Sequence, residues 1–241
     1  DGGLYLQYQP ILDLRTNRVC GFEALARLKS EKLGAVPPLE FIPIAEKTKL
    51  IIPLGWKITR QSQCFLSKLK SLGYEEIYVS INASVIQLLK NDFVDNLLEM
   101  IREMQINPKS ICIEITESVF AAGYDDINII MNRLRKYGIS IAIDDFGTGY
   151  SSLSRARDLS IDCLKIDKSF IDKLTNVCPD CAITGEIVSI AHKLGYYTVA
   201  EGVEYEEQKQ VLLEYGCDKI QGYLVAKPLD EEAAIRLLET K

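Results

Sequence analysis

The stretch "ISIAIDD", Ile139–Asp145, decides how this chain is read. Side chains alternate faces along a β-strand, so Ile141 and Ile143 share one face while Ala142 and Asp144 share the other. The same alternation recurs elsewhere. In "ICIEIT", Ile111, Ile113 and Ile115 oppose Cys112, Glu114 and Thr116; in "YVSIN", Val79 and Ile81 oppose Ser80 and Asn82; in "CLKID", Leu164 and Ile166 oppose Lys165 and Asp167. Each run has an aliphatic face and a second face with a polar or ionisable group near the strand's C-terminal end.

Further runs of strand length are "LYLQYQ", "VCGFEALAR", "YYTVAE" and "KIQGYL". Between most of the runs lie amphipathic stretches that stop at a glycine: Gly73, Gly138 and Gly195. Strands alternating with helices imply βαβ units and a mostly parallel sheet. About eight such units in 241 residues predict an α/β fold of the TIM type, a (β/α)8 barrel. A doubly wound open sheet is the alternative. The first two strands are joined only by "PILDLRTNR", too short for a crossover helix, so one strand near the N-terminus is predicted to run antiparallel.

In a parallel sheet covered on both sides, the aliphatic faces pack on the outer helices and the polar faces point into the barrel. The rim then gathers Glu23, Arg27, Asn82, Glu114, Asp144, Asp145, Lys165, Asp167, Glu201 and Gln221. Buried ionisable groups must be paired or bind a metal. A structural ion-pair network satisfies that demand; so does a catalytic centre, which barrels place at this rim. Hard oxygen donors without His or Cys select Mg²⁺ or Mn²⁺. A strand end that turns would let the adjacent Asp144 and Asp145 both reach the rim and bridge two ions. Arg27 offers a planar fork for phosphate. These residues imply a metal-dependent enzyme acting on a phosphorylated ligand. They leave open phosphoester hydrolysis and proton abstraction beside a carboxylate.

Other classes are disfavoured. The net charge is −6 and no Lys/Arg run is dense enough for a nucleic-acid track, so no nucleic-acid polymer is expected as a partner. No apolar run reaches the roughly 18 residues of a membrane span, so no membrane contact is expected within this chain. The letters "DFG" lack the accompanying kinase motifs, and Gly147 and Gly149 are not followed by a P-loop lysine. His192, the only histidine, sits in a helical pattern and reads as a helix-surface residue. Seven scattered cysteines fit free thiols in a reducing compartment, hence a cytoplasmic chain or the cytoplasmic part of a larger, membrane-anchored protein. "CPDC", Cys178–Cys181, reads as a surface loop or a redox pair. The chain opens on "DGGLYLQYQP", almost inside a strand, as would a domain cut from a longer multidomain protein.

At the rim residues the chain resembles the EAL-domain family, the cyclic di-GMP phosphodiesterases, over residues 1–241 as one domain. "YQPI", "FEALAR" with Glu23-Ala24-Leu25, "INAS", "EITES", "DDFGTGYSSL", "LKIDKSF", "AEGVE" and "QGYLVAKP" follow in the family's order. The resemblance implies a barrel with one antiparallel strand and hydrolysis of cyclic di-GMP to linear pGpG with two Mg²⁺ or Mn²⁺ ions. It implies metal ligands at Glu23, Asn82, Glu114 and Asp144, with Asp145 and Asp167 around the second metal. Lys165 and Glu201 would position or activate the attacking water. Arg27 would bind phosphate, and Gln9 and Gln221 would lie at or beneath the substrate. Glu117 would brace the loop after Asp145, and Glu204 would sit near the second metal. A homodimer is implied, with its interface near the segment after the glycine loop. Ala26 and "SRARDLS", Ser154–Ser160, depart from the commoner family text without removing a ligand. A catalytically silent sensor or interaction module is the alternative; such members usually lose motif residues, and this chain keeps them.

Overall fold

The first hairpin sets the architecture. Asp13 Oδ1 accepts hydrogen bonds from the Thr16 backbone N–H at 2.7 Å and its hydroxyl at 3.0 Å, and Asn17 takes φ 53°, a left-handed conformation that asparagine tolerates. The chain therefore reverses between β1 (Gly3–Asp13) and β2 (Arg18–Ser30), which pair antiparallel. Strand β1 runs four residues further than the "LYLQYQ" pattern, through Pro10. Proline is tolerated there because pairing with the last strand begins only at Ile11, so no partner on that side needs its missing N–H.

The computed structural model describes residues 3–117, 124–146, 159–174 and 181–239. After β2 come β3 (Gly34–Val36), α1 (Pro38–Lys47), α2 (Ile51–Ser71), β4 (Tyr78–Asn82), α3 (Val85–Leu88), α4 (Phe93–Glu103) and β5 (Ile111–Thr116). Then follow α5 (Tyr124–Lys136), β6 (Ser140–Phe146), β7 (Cys163–Ile166), α6 (Lys168–Ile171), α7 (Cys181–Lys193), β8 (Tyr197–Ala200), α8 (Glu206–Glu214), β9 (Lys219–Gln221) and α9 (Glu231–Glu239). The sheet order is β1-β9-β8-β7-β6-β5-β4-β2, closed by the β1–β2 pair into an eight-stranded barrel, with β3 appended to β2. Strand β1 is antiparallel to both neighbours; β2 and β4 to β9 run parallel, as the short first connection predicts. The open-sheet alternative is excluded by the closure, and β3 went unread in the sequence. Helices α2, α5 and α7 end just before Gly73, Gly138 and Gly195, and φ is 89° at Gly138.

Strand parity sorts the interior. Ile111, Ile113, Ile115, Ile141, Ile143, Leu164 and Ile166 face outward into the large core shared with Leu97, Leu134 and Val188 on the helices. Ile11, Cys112, Ala142, Cys163 and Val199 form a separate apolar layer inside the barrel. Cys20, Tyr78 and Tyr197 pack against it, and Lys219 Nζ lies 4.5 Å and 4.2 Å from the two tyrosine ring centres. Burial pushes the Cys112 thiol up to about 12, so it is an unreactive packing group. His192, at the end of α7, contacts Asp218 through Nε2 at 2.8 Å and stays 41% exposed. Gly147, Gly149 and Cys178 lie outside the described residues, as does most of "SRARDLS" and with it the expected dimer segment. Among the described residues no helix is long and apolar enough to cross a membrane.

Helix α2 fastens the reversed strand to the barrel through Phe65, which is fully buried, stacks on Tyr8 with ring centres 3.9 Å apart and meets the edge of Phe22 at 5.6 Å. Replacing Phe65 by alanine removes a ring from three packed elements. The Phe65→Ala variant should lose about 3–5 kcal/mol of stability in urea unfolding.

Candidate active site

Lys165 projects from β7 into the barrel and is 1% exposed. Its Nζ lies 2.6 Å from Glu201 Oε1, 2.7 Å from Glu114 Oε2, and 3.3 Å from both Glu23 Oε2 and Asp144 Oδ1. These carboxylates come from β2, β5, β6 and the residue after β8, so closing the barrel is what brings them together. A second set of side chains fixes Glu23. Asn82 Nδ2 donates to Glu23 Oε1 at 2.7 Å, and Gln221 Nε2 donates to Glu23 Oε2 at 2.6 Å and to Gln9 Oε1 at 3.3 Å. Gln221 Oε1 is buried and has no partner among the described residues. At Gly222 an added Cβ would fall 2.1 Å from the Val203 carbonyl oxygen, so the chain leaving β9 packs directly on the segment after β8.

The cage sets the protonation of its members. Burial raises the Lys165 demand for company by disfavouring its charge, but Glu114, Glu201, Glu23 and Asp144 outweigh this and hold it well above the ordinary lysine range. Burial pushes Glu114 well up, and Glu23 adds to this; Lys165 opposes it only in part. Burial likewise pushes Glu201 up to about 8, against the pull of Lys165. Burial also works on Glu23, yet Lys165 and the hydrogen bonds from Gln221 and Asn82 outweigh it and keep Glu23 below the usual carboxylate range. One ammonium does not neutralise this many buried carboxylates, and burial correspondingly favours the protonated forms of Glu114 and Glu201.

The Asp144–Asp145 pair is built by a bulge. From Ile143 to Phe146 strand β6 takes one residue more than β7 takes from Leu164 to Ile166, and Asp145 sits at φ 55°. The backbone turns there, so the two adjacent carboxylates need not point to opposite faces; the Asp145 N–H donates to Asp144 Oδ1 at 3.0 Å. Oxygens of Asp144, Asp145 and Glu201 lie within 4.8 Å of one another, as do those of Glu23, Glu114 and Asp144. The two groups share Asp144. An all-oxygen donor set suits a hard divalent cation.

Two cavities open at the rim. One, of about 560 Å³, lies over β2, β4 and β5 and is lined by Arg27, Ile42, Asn82, Ser84, Glu114 and others. Arg27 is held there by its own bonds, Nε to Gln7 Oε1 at 2.7 Å and Nη1 to the Ala26 carbonyl at 3.0 Å. The other, of about 290 Å³, lies directly over Glu23, Asp144 and Glu201 and is lined also by Gln9, Gln221, Lys168 and Glu204.

The EAL domain family model matches residues 1–228. The chain belongs to the EAL domain family. It is 36% identical over 227 residues to Cyclic di-GMP phosphodiesterase PA2567 of Pseudomonas aeruginosa, covering 94% of this chain and 38% of that protein. It is 35% identical over 233 residues to the Bifunctional diguanylate cyclase/cyclic di-GMP phosphodiesterase MucR of the same organism, covering 95% of this chain and 33% of that one. The chain thus spans about a third of the length of these curated relatives. Among solved structures, the PaMucR phosphodiesterase in complex with c-di-GMP superposes with a TM-score of 0.91 at 34% identity, covering 96% of this chain and 94% of that one. The EAL enzyme Bd1971, in its cAMP- and cyclic-di-GMP-bound form, gives 0.93 at 34% identity over 98% of this chain and 65% of that one.

Within this EAL domain, the residues expected from strand parity and from the family resemblance divide. Glu23, Glu114, Asp144, Lys165 and Glu201 converge, with Asn82 and Gln221 bonded to Glu23 and Gln9 bonded in turn to Gln221. Asp167 stands apart from both carboxylate groups: its Oδ1 caps α6 by accepting the Ser169 N–H at 3.0 Å. Its charge still reaches Asp145, which burial, then Asp144, then Asp167 push up. Glu204 pairs with Lys168 and lies in neither group. Glu117 is buried, and the loop it was expected to brace lies outside the described residues. Lys168 was missed, because it begins a helix where strand parity no longer assigns a face.

Two outcomes follow from the cage. Glu201 has a raised pKa in the folded state, so its stabilising proton is held fully below the ordinary carboxylate range and lost as pH rises towards about 8. The metal-free protein should therefore melt at progressively lower temperature from pH 5 to pH 9 in a chelator, and Glu201→Gln should flatten that slope. Removing the ammonium leaves the carboxylates without their counter-charge, and breaking a buried pair costs roughly 3–5 kcal/mol. Lys165→Met in a chelator should lower the melting temperature at pH 8, and Mn²⁺ should restore most of the loss.

Proposed function

We propose that this EAL domain hydrolyses one phosphodiester bond of cyclic di-GMP to give linear pGpG. The observation that carries the proposal is the pair of all-oxygen groups sharing Asp144 beneath an open cavity. The curated relatives named as cyclic di-GMP phosphodiesterases, and the solved complexes with that ligand, support the choice of substrate. Glu23, Asn82, Glu114 and Asp144 would hold one Mg²⁺ or Mn²⁺ ion, and Asp144, Asp145 and Glu201 would face a second, with Asp167 and Glu204 in its surroundings. Such ions, when bound, polarise a phosphoryl oxygen and acidify a water.

The chain's own residues do the rest. Lys165 is kept cationic by its carboxylates, so it donates hydrogen bonds and orients rather than accepting a proton. Glu201, pushed up to about 8, holds its proton at neutral pH and would become a proton acceptor once that proton is released as pH rises towards 8. Gln221 and Asn82 keep Glu23 ionised and aimed. Arg27 offers two-pronged binding to a phosphate in the larger cavity. Gln9 and Gln221 face the ligand from the smaller one.

Purified protein incubated with cyclic di-GMP and either Mg²⁺ or Mn²⁺ should release pGpG, detectable by chromatography. Folded protein that gives no product with either metal would sink the proposal, and tight binding without product would assign the chain to a sensing role. Glu23→Gln and Asp144→Asn should each lower kcat by more than about 100-fold, some 2.7 kcal/mol of barrier.

A further inference from the structure

The smaller cavity carries a charge that the metal and water chemistry does not use. Among the described residues lining it, Glu23, Asp144, Glu201 and Glu204 are acidic, and Lys168 is the one cation. Lys168 opens α6 immediately after the capping Asp167. Its stem lies on the backbone of Gly202: a Cβ there would fall 2.4 Å from Lys168 Cγ and 2.6 Å from Cδ. Gly202 also takes φ 67°, so the position rejects side chains twice over and leaves a seat for the lysine. The ammonium at the end of that stem meets Glu204, with Asp172 further off at 3.9 Å, and the side chain stays 46% exposed.

This arrangement is poised rather than committed. An exposed lysine–carboxylate pair contributes little stability, so an incoming phosphate oxygen can compete with Glu204 for the ammonium. Arg27 lies across the rim, in a cavity that shares no lining residue with this one. A ligand lying over the carboxylate cage with two phosphates would meet a guanidinium on the β2–β5 arc. On the β8–β9 arc, Lys168 is the cation that can meet it among the described residues lining the cavity.

We propose that Lys168 is a phosphate-positioning residue: on ligand entry its ammonium passes from Glu204 to an oxygen of the phosphate that is not being cut, on the side of the site away from Arg27. The proposal rests on the reading of the substrate as a cyclic dinucleotide. Gly202 acts with it by holding the lysine stem at the cavity wall.

The test compares wild type, Lys168→Met and Lys168→Arg with cyclic di-GMP and Mn²⁺. Losing one charge-assisted contact should raise KM roughly tenfold in Lys168→Met, with kcat changed less than about threefold, and Lys168→Arg should restore most of the KM. The Mn²⁺-induced rise in melting temperature should be the same in all three proteins. Turnover of bis(p-nitrophenyl) phosphate, which has a single phosphate, should not distinguish Lys168→Met from wild type. An unchanged KM for cyclic di-GMP in Lys168→Met, beside an active wild type, would overturn the inference and leave the phosphodiesterase reading intact. So would an equal loss on the small diester, or a Mn²⁺ shift abolished by Lys168→Met, since either would place the lysine at the reacting centre. If wild type binds without cutting, the tenfold effect is read in Kd instead; if it neither binds nor cuts cyclic di-GMP, both readings fall.

Discussion

One buried ammonium among four carboxylates is the constraint on which the rest of the structure depends. Lys165 has almost no contact with water, and no single acidic neighbour would make its burial tolerable. Glu23, Glu114, Asp144 and Glu201 must therefore arrive together, from four different points around the barrel. They in turn repel one another and are held by the lysine and the amides of Asn82 and Gln221, while burial favours the protonated forms of Glu114 and Glu201. The result is an acidic centre that is pre-organised before any ion enters. In the proposed reaction that pre-organisation matters because a catalytic group already in position needs no reorganisation during the step.

The barrel supplies this geometry through two departures from regularity. Reversing β1 lets the strand reach both β2 and β9 and so close the sheet, placing Gln9 beside Gln221 and Glu23. The bulge in β6 spends one extra residue to bring Asp145 round to the rim beside Asp144. Beneath both lies the apolar layer of Ile11, Cys112, Ala142, Cys163 and Val199, which closes the interior below the charged layer. That layer keeps the local dielectric low, and this is why burial dominates the shifts of the acids above it.

The rim also has two sides of different character. The larger cavity is mostly lined by apolar and neutral groups and carries Arg27, whereas the smaller one is acidic and carries Lys168. The proposed dinucleotide would set one phosphate towards Arg27 in the first and another towards Lys168 in the second. In the proposed reaction, an asymmetric rim of this kind would orient the symmetric ligand so that one of its two phosphodiesters faces the cage.

Much of this was legible in the sequence because strand parity is a local rule. Alternation in "ICIEIT", "ISIAIDD" and "CLKID" assigns Glu114, Asp144 and Lys165 to the inner face without knowledge of the fold, and the short first connection dictates an antiparallel strand. Pro10 hid the end of β1, since its effect depends on whether β9 pairs at that residue. Asp167 and Glu204 were placed near the metals by pattern, but their partners are set by how α6 and the segment after β8 pack: one caps a helix and the other holds Lys168. Local chemistry along the chain thus determined which side chains share the barrel interior. The tertiary structure alone decided which of them share a charge, because Coulomb energy and burial depend on distances across the barrel that no spacing in the sequence encodes.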